Sequence, residues 1–415
     1  MSEFFSHEPL QIAQVARITE HKYKSSGKSV CEPFLQPFWN WSAKYIPRRV
    51  APNTLTISGL VGNALSVLLL LCYSPDLRSQ IPALPLVLHV LGVFLYQTLD
   101  ALDGLHARQT NTCSPLGELF DHGCDAIAMT LLALGFFSAM GLGHWPLIAF
   151  AEFFILNCVF YTTQWQCYVT GIIEFASFSV TEALLASILF SLVSALFGVD
   201  FWGLQDPIFG MELRIIQFVA VVIGSTVLFI RFGQTILDGG SGKFGTTVAN
   251  TSVLFPVCPL FVVILMAILV AVRSPAGVYQ QNISLYLLTF GIVTAKISQN
   301  LVVAHMTKSA ITLFDSSMLG PFCLLANRYF DCPLNETLVL WFSCAWAVFD
   351  VLYFCVRVSI QIANFLNIYM FRVDRPPSQP SRPANKKQAT VSSVQRNATS
   401  FPEPPNPRSR TRKMP

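Results

Sequence analysis

Ten apolar runs, each long enough to cross a lipid bilayer as a helix, occupy most of this chain. A membrane-spanning helix needs about 20 predominantly apolar residues. Only 12% of the 415 residues are charged, against about 25% in soluble proteins. We therefore predict an all-α, polytopic integral membrane protein with about ten transmembrane helices. The runs lie at residues 54–74, 82–99, 119–140, 146–164, 179–198, 213–235, 251–272, 283–303, 311–328 and 337–360.

The ninth run, 311–328, is the least regular, because Asp315, Pro321 and Asn327 interrupt it. It is predicted to be a spanning helix or, alternatively, a re-entrant or strongly tilted one. Lys and Arg residues then orient the chain, because cytosolic loops are enriched in them. Their distribution places both termini, and the loop that follows Arg108, in the cytosol. The basic residues that indicate this are Lys22, Lys24, Lys28, Arg48, Arg49, Arg108, Lys243 and Lys308.

Four carboxylates, Asp100, Asp103, Asp121 and Asp125, stand beside two of the most apolar runs. A charged side chain at membrane depth is costly unless it has a partner or holds a cation. With about 100° of rotation per residue, each pair falls on one face of its helix, so that two helices present two carboxylates each to a common space. Oxygen ligands suit Mg²⁺ or Mn²⁺, and two ions about 4 Å apart can hold a diphosphate during a displacement.

Small residues accompany these carboxylates. Gly104, Ala107 and Gly117 let a helix or a phosphate group approach the backbone closely, and Arg108 offers a planar set of donors for phosphate oxygens. The pattern therefore indicates a metal-dependent site for a diphosphate substrate, rather than a loop of solvated acidic residues.

The complete string resembles the signature of the CDP-alcohol phosphotransferases, and every fixed position of that signature is present. Flanking strings at 96–100, 114–125 and 304–309 resemble the eukaryotic choline/ethanolamine phosphotransferase branch, which the chain fits from about Arg17 to Phe371. Positions 105 and 106 depart from it, being Leu and His, but the signature leaves them unconstrained. The string reads Asp100-x2-Asp103-Gly104-x2-Ala107-Arg108-x8-Gly117-x3-Asp121-x3-Asp125.

The resemblance implies the transfer of phosphocholine or phosphoethanolamine from its CDP ester to diacylglycerol, with release of CMP, the last step of the Kennedy pathway. It also implies two Mg²⁺ or Mn²⁺ ions, an endoplasmic reticulum or Golgi membrane and a homodimer. The alternatives are another CDP-alcohol specificity, a membrane prenyltransferase or a transporter. The motifs of prenyltransferases lack the spacing Ala107-Arg108-x8-Gly117. A transporter would be expected to show internal repeats, and this sequence shows none.

Carried over onto this sequence, the resemblance makes all four aspartates metal ligands. It also makes Gly104, Ala107, Arg108 and Gly117, with Asn53 at the start of the first run, part of the CDP pocket. For Asn53, a plain helix cap is the alternative.

The general base has two candidates. The family pattern favours Asp125, but a bound cation lowers the basicity of a carboxylate. His122, one helical turn after Glu118, has an unperturbed pKa close to cytosolic pH. We favour His122 oriented by Glu118 as the base, and keep Asp125 as the alternative.

Aromatic residues near the cytosolic ends of the runs have two interpretations. Tyr96, Tyr161 and Trp165 belong either to the interfacial aromatic belt or to a cation–π cage for the headgroup ammonium. His305 is predicted to be a loop residue rather than a substrate contact.

Four sections follow from these patterns. Residues 1–50 form a cytosolic N-terminus, with an amphipathic interfacial helix or an ordinary turn within 33–50. Residues 51–236 hold the catalytic helices and 237–371 additional transmembrane helices, while 372–415 form a disordered basic tail. The net charge of +4 owes much to that tail and therefore indicates no nucleic-acid partner. Membrane lipids are among the predicted partners, and the tail is either attracted to anionic headgroups or solvated without a specific function.

Overall fold

The computed structural model describes residues 8–27, 29–176 and 180–374, and within these ranges the fold is almost entirely helical. The described residues belong to one compact unit that ends at Asp374. The predicted basic tail lies outside the described residues from 375 onward. The helices are α1 Ile12–Ile18, α2 Glu32–Ser42, α3 Pro52–Tyr73, α4 Ala83–Thr110, α5 Pro115–Met140, α6 Pro146–Thr170, α7 Val180–Phe197, α8 Leu213–Leu237, α9 Val257–Arg273, α10 Val278–Gln281, α11 Ile283–Thr307, α12 Leu319–Tyr329 and α13 Glu336–Leu366.

Eight of the described helices are long and apolar enough to cross a membrane, which confirms the all-α polytopic prediction. They are α3 to α8, α11 and α13, and each overlaps one predicted run. A ninth, α9, is apolar but has 17 residues. At about 1.5 Å per residue it reaches about 26 Å, slightly less than the hydrocarbon thickness of about 30 Å.

The ninth predicted run differs from the prediction. Its helix, α12, has 11 residues, and the residues before Ser316 are not helical. Asp315 is extended and caps a short 3-10 turn by accepting a hydrogen bond from the Ser317 amide at 2.9 Å. It also pairs with the buried Lys296 of α11 at 3.0 Å. The prediction of a helix beginning at 311 was wrong, because a buried charge pair holds this segment in an irregular conformation.

The chain nevertheless runs the length of the structure between α11 and α13. At the start of α13, Glu336 accepts a hydrogen bond from Ser274, just after α9, at 2.7 Å. Near the end of α13, Ile362 packs in a cluster with Met306 at the end of α11 and Leu116 at the start of α5. Helices α11 and α13 therefore end on the same side of the bundle. Residues 308–335 carry the chain back to the opposite side, where α13 begins.

Helices α5 and α11 form the interior of the bundle. In their most apolar stretches 78% and 89% of the residues are buried, whereas the corresponding shares in α7 and α8 are 22% and 17%. α5 therefore packs against protein on most sides, and its polar first turns lie where several helices meet. α7 and α8 present most of their surface outward, as helices facing lipid do.

The predicted interfacial segment contains helix α2, followed by a 3-10 turn that ends at Tyr45. Trp39 is buried in a cluster with Leu55 of α3, while Phe34 and Trp41 are exposed. One face of α2 thus packs on the bundle and the other presents aromatic rings. Its placement at a membrane surface stays a prediction.

The N-terminal segment packs on the bundle beside the end of α11 and the start of α5. Val15 and Ile18 of α1 belong to the same cluster as Met306. The Arg17 guanidinium donates to the main-chain oxygens of Thr307 and Lys308 at 3.3 and 3.1 Å. Farther along, strand β1 (Ser25–Ser26) pairs in parallel with strand β2 (Ile173–Glu174) after α6. These two attachments hold the intervening residues close to the start of α5.

Candidate active site

A short turn between α4 and α5 forms the frame of the site. α4 ends at Asn111, in the left-handed conformation with φ 55°. Ser114 then caps α5, its hydroxyl accepting a hydrogen bond from the Gly117 amide at 3.2 Å, and Pro115 occupies the first helical position. The chain reverses within a few residues, so the two helices run antiparallel. Asp103 lies about two turns before the reversal and Asp121 about two turns after it.

Three of the four predicted metal ligands meet at this level. One carboxylate oxygen from each of Asp100, Asp103 and Asp121 lies within 4.8 Å of the other two. One oxygen of Asp100 and one of Asp121 are buried without a hydrogen-bond partner. Buried carboxylate oxygens without donors are costly, and an ion coordinated by oxygen would satisfy them. The donor set therefore fits Mg²⁺ or Mn²⁺. The Thr56 hydroxyl of α3 donates to Asp103 and orients it.

Asp125 has a different partner. It lies one turn further into α5 than Asp121, outside the group of three, and its Oδ1 accepts a hydrogen bond from the Tyr96 hydroxyl at 2.5 Å. Tyr96 is 3% exposed, so this bond is shielded from water. One oxygen of Asp125 is thereby fixed.

The predicted CDP-pocket residues line the same end of the hairpin. Asn53 lies beside Gly117, with its Oδ1 3.8 Å from the position a Cβ would take there, and a Cβ on Gly104 would lie 3.6 Å from an Arg108 nitrogen. Both distances are ordinary contacts, so packing within the protein does not require glycine at either position. Each glycine leaves room for a methyl group next to the backbone. Ala107, half-buried on α4, follows Gly104 by almost one turn.

Glu118 and His122 occupy the first turns of α5, but Glu118 contacts a residue that the sequence analysis did not consider. His21 Nε2 lies 2.8 and 3.0 Å from the two Glu118 oxygens. The His122 ring instead lies 6.3 Å from the Tyr23 ring, centroid to centroid. Partial burial, together with the charges of Glu118 and Asp121, raises the pKa of Tyr23 to about 12. The Tyr23 hydroxyl therefore keeps its proton at neutral pH and can donate a hydrogen bond.

His305 lies at the end of α11 rather than in a loop. Its ring is 5.3 Å from that of His21, in an edge-to-face arrangement. Its Nε2 is 3.6 Å from the Cys167 sulfur.

The three aromatic residues of the predicted cage have separate partners. Tyr96 bonds to Asp125. The Tyr161 hydroxyl donates to the Pro256 carbonyl at 2.8 Å, and the Trp165 indole N–H donates to the Val253 carbonyl at 2.6 Å. The last two bonds tie α6 to the segment before α9. The cage stays a prediction for these residues.

Sequence reasoning missed four contacts at the site. Thr56 and the Tyr96 hydroxyl hold carboxylates, His21 holds Glu118, and the Gln299 amide of α11 donates to the Gly123 carbonyl at 2.9 Å. Thr56 lies one turn after Asn53 on the same face of α3. This spacing could have identified Thr56 as a residue of the site. The other contacts join segments that are distant in the sequence.

Comparisons with known proteins agree with this geometry. A sequence model of the CDP-alcohol phosphatidyltransferase family matches residues 49–203, which contain α3 to α7. Cholinephosphotransferase 1 of Xenopus laevis is 41% identical over 369 residues, which cover 89% of this chain and 92% of the relative. The protein of that name from Danio rerio is 40% identical, covering 88% and 96%. The one from Homo sapiens is also 40% identical, covering 88% and 90%.

Proposed function

This chain belongs to the CDP-alcohol phosphatidyltransferase family, and from that premise we propose that it transfers phosphocholine from CDP-choline to diacylglycerol and releases CMP. CDP-ethanolamine is the second donor we propose, after CDP-choline because the similar relatives are named cholinephosphotransferases. The observation that carries the proposal is the group of three aspartates, of which two have a buried oxygen without a hydrogen-bond partner, close to two glycines that leave room for a methyl group at the backbone.

Asp100, Asp103 and Asp121 would hold Mg²⁺ or Mn²⁺, with Asp125 completing the proposed ligand set. Cations held by these residues would supply positive charge to the diphosphate and so favour the departure of CMP. Arg108 is exposed at the end of α4, where its guanidinium suits phosphate oxygens. Asn53 and the space beside Gly104 and Gly117 would receive the CDP moiety. We place this end of the bundle on the cytosolic side of an endoplasmic reticulum or Golgi membrane, where a soluble nucleotide can reach it.

The transfer needs a group to accept the proton of the diacylglycerol hydroxyl. We assign this to His122, with Glu118 one turn earlier on α5 supplying the charge that stabilises the protonated ring. The lipid oxygen forms a bond to the phosphorus that bears choline, the bond from that phosphorus to the CMP oxygen breaks, and the proton goes to His122. Asp125 is the alternative acceptor.

Turnover and CDP-choline affinity, measured on the same purified variants, distinguish the two acceptors. His122→Ala is expected to lose about 10²–10⁴-fold in kcat, the range for a general base, while still binding CDP-choline because no proposed metal ligand is removed. Asp125→Ala should lose nucleotide binding as well. If His122→Ala turns over at the wild-type rate, Asp125 is the proton acceptor instead of His122.

The reaction class itself is tested with purified protein in detergent, CDP-choline labelled in its choline group, and diacylglycerol. Labelled phosphatidylcholine and CMP should appear in equal amounts and only when diacylglycerol is present. Neither a transporter nor a prenyltransferase gives that result. Adding CDP-ethanolamine in competition, with Mg²⁺ and Mn²⁺ in turn, measures the headgroup preference.

A further inference from the structure

His21, on the N-terminal segment, makes the closest contact to Glu118. Both Glu118 oxygens lie within hydrogen-bond distance of His21 Nε2, at 2.8 and 3.0 Å. The two side chains are 9% and 13% exposed. Pairing a partly buried carboxylate with a donor offsets the cost of removing it from water. His21 lies outside the residues 49–203 that match the family model.

The position of His21 is fixed from both sides along the chain. Four residues earlier, Arg17 bonds to the last carbonyls at the end of α11. Four residues later, β1 begins its pairing with β2. The His305 ring also packs edge to face on His21. The imidazole is therefore held by the tertiary fold, within hydrogen-bond distance of both Glu118 oxygens.

Glu118 and His122 are four residues apart on α5, so their side chains leave the same face of the helix. We propose that His21 is a positioning residue for the transfer reaction, holding the Glu118 carboxylate in place at the start of α5, one turn before His122. This inference rests on the proposed function. The proposal also gives the N-terminal segment a part in the site, because residues 12–26 bring the His21 imidazole to Glu118 at the start of α5.

Four variants test the proposal: His21→Ala, His21→Gln, Glu118→Gln and the double variant His21→Ala/Glu118→Gln. Removing the partner of an active-site side chain commonly costs about 10- to 100-fold. We expect His21→Ala to lose that much in kcat, with little change in the KM for CDP-choline. Gln carries an amide N–H close to the position of Nε2, so His21→Gln should recover most of the loss. Because His21 acts through Glu118, the double variant should be no slower than Glu118→Gln alone.

Arg17→Ala is the matched control, since it removes an anchor of the same segment without touching Glu118. Thermal unfolding of every variant in detergent accompanies the kinetics. The proposal is overturned if His21→Ala turns over like wild type, if the two single losses multiply in the double variant, or if Arg17→Ala loses as much kcat as His21→Ala at equal stability. Wild-type protein that makes no phosphatidylcholine at all would instead contradict the proposed function.

Discussion

The hydrogen bond from Tyr96 to Asp125 is a direct way to test whether Asp125 serves the metal site. Tyr96→Phe keeps the ring and removes only the hydroxyl, which donates to the carboxylate at 2.5 Å from a side chain that is 3% exposed. A hydrogen bond to a charged group contributes about 1.5–3 kcal/mol, and about 1.4 kcal/mol corresponds to a factor of ten. Losing the bond should therefore weaken the proposed metal site by about 10- to 100-fold.

The assay is phosphatidylcholine formation at fixed substrate concentrations while Mn²⁺ or Mg²⁺ is titrated. The half-saturating metal concentration should rise in Tyr96→Phe, and high metal should restore part of the rate. Tyr286→Phe is the control, because the buried Tyr286 hydroxyl also makes a 2.5 Å bond, but to the neutral Ala267 carbonyl. An unchanged metal requirement in Tyr96→Phe, or an equal shift in Tyr286→Phe, would refute the reasoning.

Two further predictions concern the metal ligands and the nucleotide pocket. Asp121→Asn keeps the size of the side chain but removes a charged ligand, so transfer should stop while the unfolding temperature stays close to that of wild type. Turnover near the wild-type rate, with metal still required, would contradict the assignment of Asp121 as a metal ligand. Gly117→Ala places a methyl group in the space beside Asn53, so the KM for CDP-choline should rise. Gly233→Ala, where a methyl group meets no atom within 4 Å, should leave KM unchanged, and equal KM values in both variants would show that the space serves no ligand.

Local pattern was sufficient to predict the hairpin of α4 and α5. Helical periodicity puts Asp100 and Asp103 on one face, and the short turn from Asn111 to Ser114 keeps the end of α4 close to the start of α5. The carboxylates of Asp100, Asp103 and Asp121 therefore had to converge. Eight of the ten predicted runs match helices long enough to span a membrane, because hydropathy over about 20 residues depends on local composition alone.

What escaped prediction depends on partners that are distant along the chain. His21 and Glu118 are 97 residues apart, and the polar N-terminal segment carries no periodicity that indicates where it packs. The irregular start of the ninth run has the same origin. Hydropathy counts Asp315 only as an interruption, whereas Lys296, which holds it in place, lies in the preceding helix.

The central claim is that metal held by the aspartates drives transfer of phosphocholine to a lipid alcohol. One measurement tests it most directly: labelled phosphatidylcholine and CMP are quantified together in wild-type protein and Asp100→Asn, after EDTA treatment and again after Mg²⁺ or Mn²⁺ is restored. The account predicts equal amounts of the two products in wild type, none after EDTA, recovery with either metal, and no recovery in Asp100→Asn. Product formation that persists without divalent cations, or full recovery in Asp100→Asn, would contradict it.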